Sequence, residues 1–140
     1  MGQGSQEIIE ALNRDLSDEL AAIVQYMWHH VTGTGFESQA ITAQMRLTSL
    51  DEMRHAELLA ERIDYLGGVP TATLSKVYMG GELRKLVQDD LDGENRAIAQ
   101  YKTHIKLCQE IGDSTTRLML ETILTDEENH AHTWETVLGV

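Results

Sequence analysis

Apolar residues recur along this chain at alternating spacings of three and four positions, which is the pattern of amphipathic α-helices. Four such runs are separated by breaks that contain glycine. They predict helices at roughly residues 5–32, 38–66, 82–111 and 114–138. Ser5 is a candidate N-cap for the first helix, and Gly67-Gly68 followed by Pro70 is a common end for the second. The inward stripe of the fourth run extends as far as Val137.

The loops between the runs predict how the helices are arranged. The first and third loops are short, so the helices on either side of each form an antiparallel hairpin. The second loop, residues 67–81, is long enough to run the length of a bundle. We therefore expect an all-α fold, a single four-helix bundle domain over residues 1–140, in which a long crossover joins two antiparallel hairpins.

Composition narrows the class of protein. The 140 residues include one proline and one phenylalanine, a balance that favours helices over strands. A net charge of −12 argues against binding to nucleic acid or to an anionic membrane surface. The single cysteine excludes an internal disulfide framework. No apolar run approaches ~18 residues and no signal-peptide pattern is present, so we expect a cytoplasmic protein.

Acidic residues and histidines interrupt the inward stripes at positions that repeat. At an offset of 75 residues Glu19 returns as Glu94, and Glu52-x-x-His55 returns as Glu127-x-x-His130. In each half the single glutamate precedes the Glu-x-x-His motif by 33 residues. Every one of these side chains is predicted to point into the bundle. Four carboxylates and two imidazoles that recur in this register are typical of a site for two metal ions.

The charge of these residues also favours metal binding. Burying an unpaired carboxylate costs several kcal/mol, and two divalent cations would neutralise four glutamates. Glu52 and His55 share one face of a helix, and Glu127 and His130 share another, so each pair can bind one ion. Glu52 and Glu127 are best placed to bridge the two ions. Oxygen and imidazole ligands without thiolates suit iron or manganese.

Other repeated residues are candidates for supporting roles. Asp51 and Asp126 lie four residues before His55 and His130, so they either orient the imidazoles across the bundle or pair with arginines on its flank. Two tyrosines follow the single glutamates by seven residues. Their hydroxyls either bond ligand carboxylates and supply an electron, or simply pack in the core. These tyrosines are Tyr26 and Tyr101. Two further histidines at the same offset, His29 and His104, lie off the inward stripe and are predicted to be at the surface.

The chain resembles the bacterioferritin branch of the ferritin-like di-iron carboxylate superfamily. The resemblance spans nearly the whole chain, and its most specific segment is Asp51-Glu52-Met53-Arg54-His55-Ala56-Glu57. It implies ferroxidase chemistry, in which two Fe(II) ions bound by the repeated ligands are oxidised by dioxygen or peroxide. It also implies storage of the Fe(III) product in a hollow shell of subunits. The residues to which it assigns the two iron ions are Glu19, Glu52, His55, Glu94, Glu127 and His130.

The same resemblance suggests a haem b group at a two-fold dimer interface, bound by Met53 of each chain. Met53 is about 100° round the helix from Glu52, so it faces out of the bundle. A second apolar stripe on the first helix, residues 20, 24, 27 and 31, is consistent with at least a homodimer. Simple packing of Met53 in that dimer is the alternative to haem binding. Bacterioferritins continue into a fifth helix, whereas this chain ends at Val140, so formation of a closed shell is in question.

Two other functions are consistent with the pattern. One is a di-metal redox enzyme without storage, such as a rubrerythrin-like peroxidase, a manganese catalase or a small hydroxylase. A hydroxylase needs an apolar pocket beside the metals, and the inward stripes look filled. The other is a structural or partner-binding bundle, which does not require two sets of metal ligands.

Overall fold

The computed structural model describes residues 3–140, which form four helices. They are α1 (Gln3–Thr32), α2 (Ser38–Tyr65), α3 (Leu83–Ile111) and α4 (Ser114–Leu138). The predicted all-α four-helix bundle is confirmed, and the predicted boundaries lie within two residues of those observed. The Ser5 N-cap is wrong, because α1 already includes Gln3. Within residues 3–140 no helix is both long enough and apolar enough to cross a membrane.

Each hairpin closes through a short turn. At the turn between α3 and α4, Gly112 adopts a left-handed conformation with φ 90° and donates its N–H to the carbonyl of Cys108. Asp113 then caps α4, accepting a hydrogen bond from the Thr116 N–H at 3.0 Å. Arg62 of α2 reaches the same Asp113 carboxylate at 3.1 Å. This end of the second hairpin is therefore also tied to the first hairpin.

The crossover between α2 and α3 runs along α1. Asn13 donates to the carbonyl of Val69 at 3.1 Å and accepts from the N–H of Thr71 at 2.9 Å. Farther along, the N–H of Ser75 donates to the carbonyl of Ser17 at 3.1 Å. These bonds fix the extended segment against the outside of α1, because they satisfy its backbone groups without regular secondary structure.

The apolar core consists of two clusters with a polar layer between them. One cluster includes Leu12, Leu59 and Ile123, and the other includes Met45 and Trp134. Along each helix the repeated glutamate lies between residues of the two clusters, so the four carboxylates meet at mid-height in the bundle. One predicted core position is wrong. Val137 is 40% exposed, because it lies in the last turn of α4 beyond Trp134, the last buried residue of that helix.

Candidate metal centre

Six side chains, at least one from each helix, meet in the middle of the bundle. Each exposes 6% or less of its surface. They form two groups of four whose ligand atoms lie within 4.8 Å of one another, and Glu52 and Glu127 belong to both groups. The first group adds Glu19 and His55 to the shared pair, and the second adds Glu94 and His130. The structure thus brings together all six residues singled out from the sequence, with the two predicted bridging carboxylates in the shared positions.

Each of the six residues presents one buried atom that has no hydrogen-bond partner. In the part of the chain that the structure describes, seven buried side-chain atoms lack a partner, and six of them belong to this cluster. A buried polar atom without a partner costs ~1–3 kcal/mol, and more if it is charged. Carboxylate oxygens and imidazole nitrogens in two adjoining groups of four are a donor set for two cations of the iron or manganese type. The unpaired atoms are Glu19 Oε2, Glu52 Oε1, His55 Nδ1, Glu94 Oε2, Glu127 Oε1 and His130 Nδ1.

The imidazoles are oriented by carboxylates from the opposite hairpin. His55 Nε2 donates to Asp126 Oδ2 at 2.8 Å, and His130 Nε2 donates to Asp51 Oδ2 at 2.9 Å. Each bond places one proton on Nε2, so Nδ1, which faces the glutamates, is the nitrogen that can bind a metal ion once its own proton is displaced. Asp51 also accepts from Arg54 at 2.5 Å, so both roles considered for it are present. Burial alone raises the pKa of Asp51, but its bonds with His130 and Arg54 outweigh burial and lower it.

The two tyrosines also bond across the bundle. The hydroxyl of Tyr26 donates to Glu94 Oε1 at 3.0 Å, and that of Tyr101 donates to Glu19 Oε1 at 2.9 Å. Each bond holds one oxygen of a single glutamate and leaves the other oxygen facing the cluster. Tyr26 additionally accepts from the Trp134 indole N–H at 2.8 Å, and the two rings stack at 6.0 Å. The residue 75 positions before Trp134 is a leucine, so the surroundings of the two tyrosines differ.

The cluster carries strongly shifted pKa values. Burial, with repulsion from Glu127, raises the pKa of the other three glutamates, that of Glu94 to about 7. Glu127 is the exception, because its contacts with His130 and His55 outweigh burial and lower its pKa to about 2. Burial lowers the pKa of both histidines, but their contacts with the glutamates outweigh it and raise the pKa to about 11. In the metal-free protein the glutamates and histidines of the cluster therefore hold protons between them, and a bound metal ion would displace these protons.

His29 and His104 are not at the surface, as was predicted, but are 0% and 4% exposed. His29 Nδ1 bonds Asp90 at 2.9 Å, and its Nε2 bonds the carbonyl of Tyr78 in the crossover at 2.9 Å. His104 Nδ1 bonds Asp15 at 2.8 Å. The prediction failed for His29 because the crossover covers that part of α1, and for His104 because it packs against Asp15 of α1. The 75-residue offset between Asp15 and Asp90 was a signal that could have identified these pairs.

A cavity adjoins the cluster, which the sequence did not predict. Its volume is about 320 Å³, and it lies between α1 and α3 with the four glutamates among its lining residues. Small side chains such as Ala22 and Ala97 form part of its walls. The cluster is therefore buried within the protein but is reached through a space large enough for a small molecule.

Met53 lies away from the cluster. It is 53% exposed on α2, as its position next to Glu52 predicted. Other large apolar side chains on α1 and α2 are also exposed, including Trp28 at 48%, Val31 at 63% and Leu47 at 54%. Haem binding by Met53 stays a prediction.

A four-helix bundle that encloses paired glutamates and Glu-x-x-His motifs defines the ferritin-like class of protein. Comparison with known proteins agrees. Residues 9–140 match the family model described as a ferritin-like domain. The chain is 38% identical to the bacterioferritin of Desulfovibrio desulfuricans, covering 94% of this chain and 74% of that protein. It is 35% identical to the bacterioferritin of Mycobacterium leprae, covering 99% and 87%.

Solved structures give the same result. A ferritin-like di-iron carboxylate protein from Bacillus anthracis superposes with a TM-score of 0.94 at 29% identity, covering 99% of both chains. The Desulfovibrio desulfuricans bacterioferritin, whose structure contains a di-iron site, superposes with a TM-score of 0.92 at 36% identity, covering 99% of this chain and 84% of that one. The chain therefore belongs to the ferritin-like family, in its bacterioferritin branch.

Proposed function

We propose that this protein is a ferroxidase that binds two Fe(II) ions within one subunit and oxidises them with dioxygen or peroxide, in the service of iron storage or detoxification. The observation that carries the proposal is the set of six unpaired ligand atoms, arranged as two groups of four that share Glu52 and Glu127. The bacterioferritin relatives support the same activity. When bound, the two ions supply one electron each to the oxidant.

The surrounding residues prepare the ligands for binding. Asp126 and Asp51 hold His55 and His130 in the tautomer that leaves Nδ1 free. The tyrosine hydroxyls fix one oxygen of each single glutamate, so that the other oxygen stays in place when an ion binds or leaves. Burial of the four glutamates, the two histidines and the two tyrosines excludes bulk water, which strengthens the attraction between the carboxylates and a cation. This preorganisation is the protein's contribution to the reaction.

Tyr26 is the better candidate for a residue that supplies an electron. Its ring stacks on Trp134 and its hydroxyl both receives the indole hydrogen bond and donates to Glu94. An aromatic pair that contacts a proposed ligand provides a path for an electron from the core to the metal site. Tyr101 contacts Glu19 in the same way but has no indole partner at the equivalent position.

The assembly that we propose is a homo-oligomer, at least a dimer and in its largest form a shell. The exposed apolar residues of α1 and α2 belong to the same hairpin as Met53, and they support a subunit contact because large apolar side chains left in water mark interaction surfaces. A haem b group between two Met53 side chains is part of this proposal. Manganese is the alternative to iron at the six-ligand site, since the same donors suit both metals.

A di-metal redox enzyme without storage is the second candidate. The cavity over the cluster favours it, because about 320 Å³ is at the lower end of pockets for small-molecule ligands. A rubrerythrin-like peroxidase or a manganese catalase would need only a small part of this space, whereas a small hydroxylase would use all of it.

Iron uptake per chain tests the two candidates. Metal-free protein would receive Fe(II) stepwise in air, and iron would be counted after size-exclusion chromatography. Tens of irons or more per chain on a large particle would support storage, and saturation near two per chain would support the non-storage enzyme.

In Glu52→Ala and Glu127→Ala rapid oxidation of Fe(II) should be lost. The matched control is Glu128→Ala, which removes an exposed neighbour of Glu127 and should oxidise Fe(II) at the normal rate. Normal oxidation in both site variants would refute the proposed site.

A further inference from the structure

The cavity between α1 and α3 is arranged around the internal repeat. Its lining residues on the two helices come as equivalents 75 positions apart, including Glu19 with Glu94, Ala22 with Ala97 and Gln25 with Gln100. The crossover forms another part of the lining through Ser75, Lys76 and Tyr78. The cavity therefore lies directly over the two ligand groups. On one side it is bounded by the crossover, which has no equivalent in the second half of the chain.

Two lining positions depart from the repeat, and both departures change what the cavity can hold. Asp18 has Gly93 as its equivalent, and Ala21 has Arg96. A Cβ atom at Gly93 would meet only the Arg96 guanidinium, at 3.6 Å, which is an ordinary contact. Gly93 thus leaves open space that a larger residue would fill. Arg96 adds a positive charge where the other half has a methyl group.

The carboxylates in the cavity wall already have hydrogen-bond partners. Asp18 accepts from Ser75 at 2.5 Å and from Gln100 at 2.7 Å. Asp90 accepts from Gln25 and from His29, each at 2.9 Å. Because their oxygens are engaged by the protein, these acids are poor binding sites for a cation above the metal ligands.

The basic groups of the cavity, in contrast, have no acidic partner. Arg96 and Lys76 lie over the ring of Tyr78, with their charged groups 4.9 Å and 4.7 Å from its centroid. Neither forms an ion pair with a carboxylate of residues 3–140 within 4.0 Å. Both side chains are exposed, and they lie beside a space whose lining includes six carboxylates without forming an ion pair with any of them.

We propose that the cavity binds a small organic anion, a monocarboxylate or a phenolate, with its charge at Arg96 and Lys76 and its carbon skeleton over the metal pair. This inference rests on the ferroxidase-type metal site proposed above. A volume of about 320 Å³ corresponds to about ten water-sized groups at ~30 Å³ each, far more than dioxygen or peroxide occupies. The small side chains of Ala22 and Ala97 provide the apolar walls that such a skeleton needs, and Gly93 leaves space for it.

The test uses the protein loaded with Co(II), whose visible absorption reports on its coordination and gives a readout independent of oxidation. Benzoate is the probe, benzyl alcohol is its neutral counterpart, and chloride is an anion without a carbon skeleton. We expect benzoate to change the Co(II) spectrum saturably and to bind at least tenfold more tightly than benzyl alcohol. Arg96→Gln combined with Lys76→Gln should weaken benzoate binding tenfold or more. Lys102→Gln, which removes another exposed cation of α3, is the matched control and should bind benzoate normally.

A second variant tests the cavity without changing charge. Gly93→Leu should abolish benzoate binding by filling the space, and leucine is a better helix former than glycine, so the variant is expected to fold. Two Co(II) per chain in this variant would establish that its metal site is formed.

Three results would overturn the inference. These are equal affinity for benzoate and benzyl alcohol, equal affinity for benzoate and chloride, and unchanged benzoate binding in the charge or cavity variants. If two Co(II) ions are bound per chain, none of these three results would contradict the proposed metal site. Failure of wild-type protein to bind two Co(II) would overturn the metal site and this inference together.

Discussion

Removing a carboxylate that orients a histidine should weaken metal binding on the opposite hairpin. Asp126 belongs to α4, but its carboxylate accepts the Nε2 proton of His55 on α2 at 2.8 Å. In Asp126→Ala the imidazole loses the acceptor that fixes its tautomer and ring orientation. Loss of such an outer partner typically weakens metal affinity 10–100-fold, which corresponds to ~1.4–2.8 kcal/mol. Because the Asp126 side chain is 41% exposed and water can replace it in part, we expect the lower end of this range.

The matched variant acts on the other half of the site. Asp51→Ala removes the partner of His130, at 2.9 Å, and the Asp51 side chain is 32% exposed. Each single variant should weaken one of the two metal-binding steps about tenfold, and the double variant should weaken both. Anaerobic calorimetric titration with Fe(II) resolves the steps, and Co(II) absorption gives an independent check. Glu128→Ala is the control for surface charge.

The orienting role assigned to Asp126 and Asp51 would be refuted if both single variants bound the two ions with wild-type affinity. It would also be refuted if Asp126→Ala and Asp51→Ala weakened the same step, since the structure assigns their partners to different ligand groups.

Three further predictions concern stability. A divalent metal ion at a free concentration a hundred times its dissociation constant should stabilise the fold by ~2.7 kcal/mol per independent site. The effect should appear as a rise in Tm. This rise should disappear when Glu52 and Glu127 are replaced by alanine. Tyr26→Phe should destabilise the metal-free protein more than Tyr101→Phe in urea unfolding. Both variants leave a buried glutamate oxygen unpaired, but only Tyr26→Phe also leaves the Trp134 N–H unpaired, which adds ~1–3 kcal/mol; equal effects would contradict this. Burial raises the pKa of Asp113, but bonds from Thr116 and Arg62 outweigh it and hold that pKa below the usual 3.8. The stability that Asp113 contributes should therefore be complete above pH 3.8 and be lost as pH falls through its folded-state pKa. The free energies of unfolding of Asp113→Asn and wild type should differ most near neutral pH. A difference that grew on acidification would contradict the lowered pKa of Asp113.

The helices and the convergence of the six candidate ligand residues could be predicted from the sequence because both depend on local periodicity. A glutamate on an apolar stripe is visible in a single helix, and the 75-residue repeat relates the stripes of different helices without any knowledge of how they pack. Glu52 and Glu127 could be assigned to shared positions for the same reason, since the order of ligands along two equivalent hairpins limits how they meet.

The features that were missed depend on distances between helices. His29 was misplaced because its burial depends on the crossover carbonyl of Tyr78 and on Asp90 of α3, neither of which is close to it in sequence. The tyrosines follow Glu19 and Glu94 on their own helices, yet each bonds the glutamate of the other helix. The cavity depends on the separation of α1 and α3, which no stripe specifies.

The crossed bonds between the hairpins have a consequence for the newly made chain. Each hairpin contains ligands whose supporting groups are on the other, as Asp51 supports His130 and Tyr101 supports Glu19. When only the first hairpin has emerged from the ribosome, His55 lacks its partner Asp126 and Glu19 lacks the hydroxyl of Tyr101. High-affinity metal binding at the proposed site is therefore expected only after both halves have docked. The crossed bonds make the metal affinity of the site depend on completion of the fold.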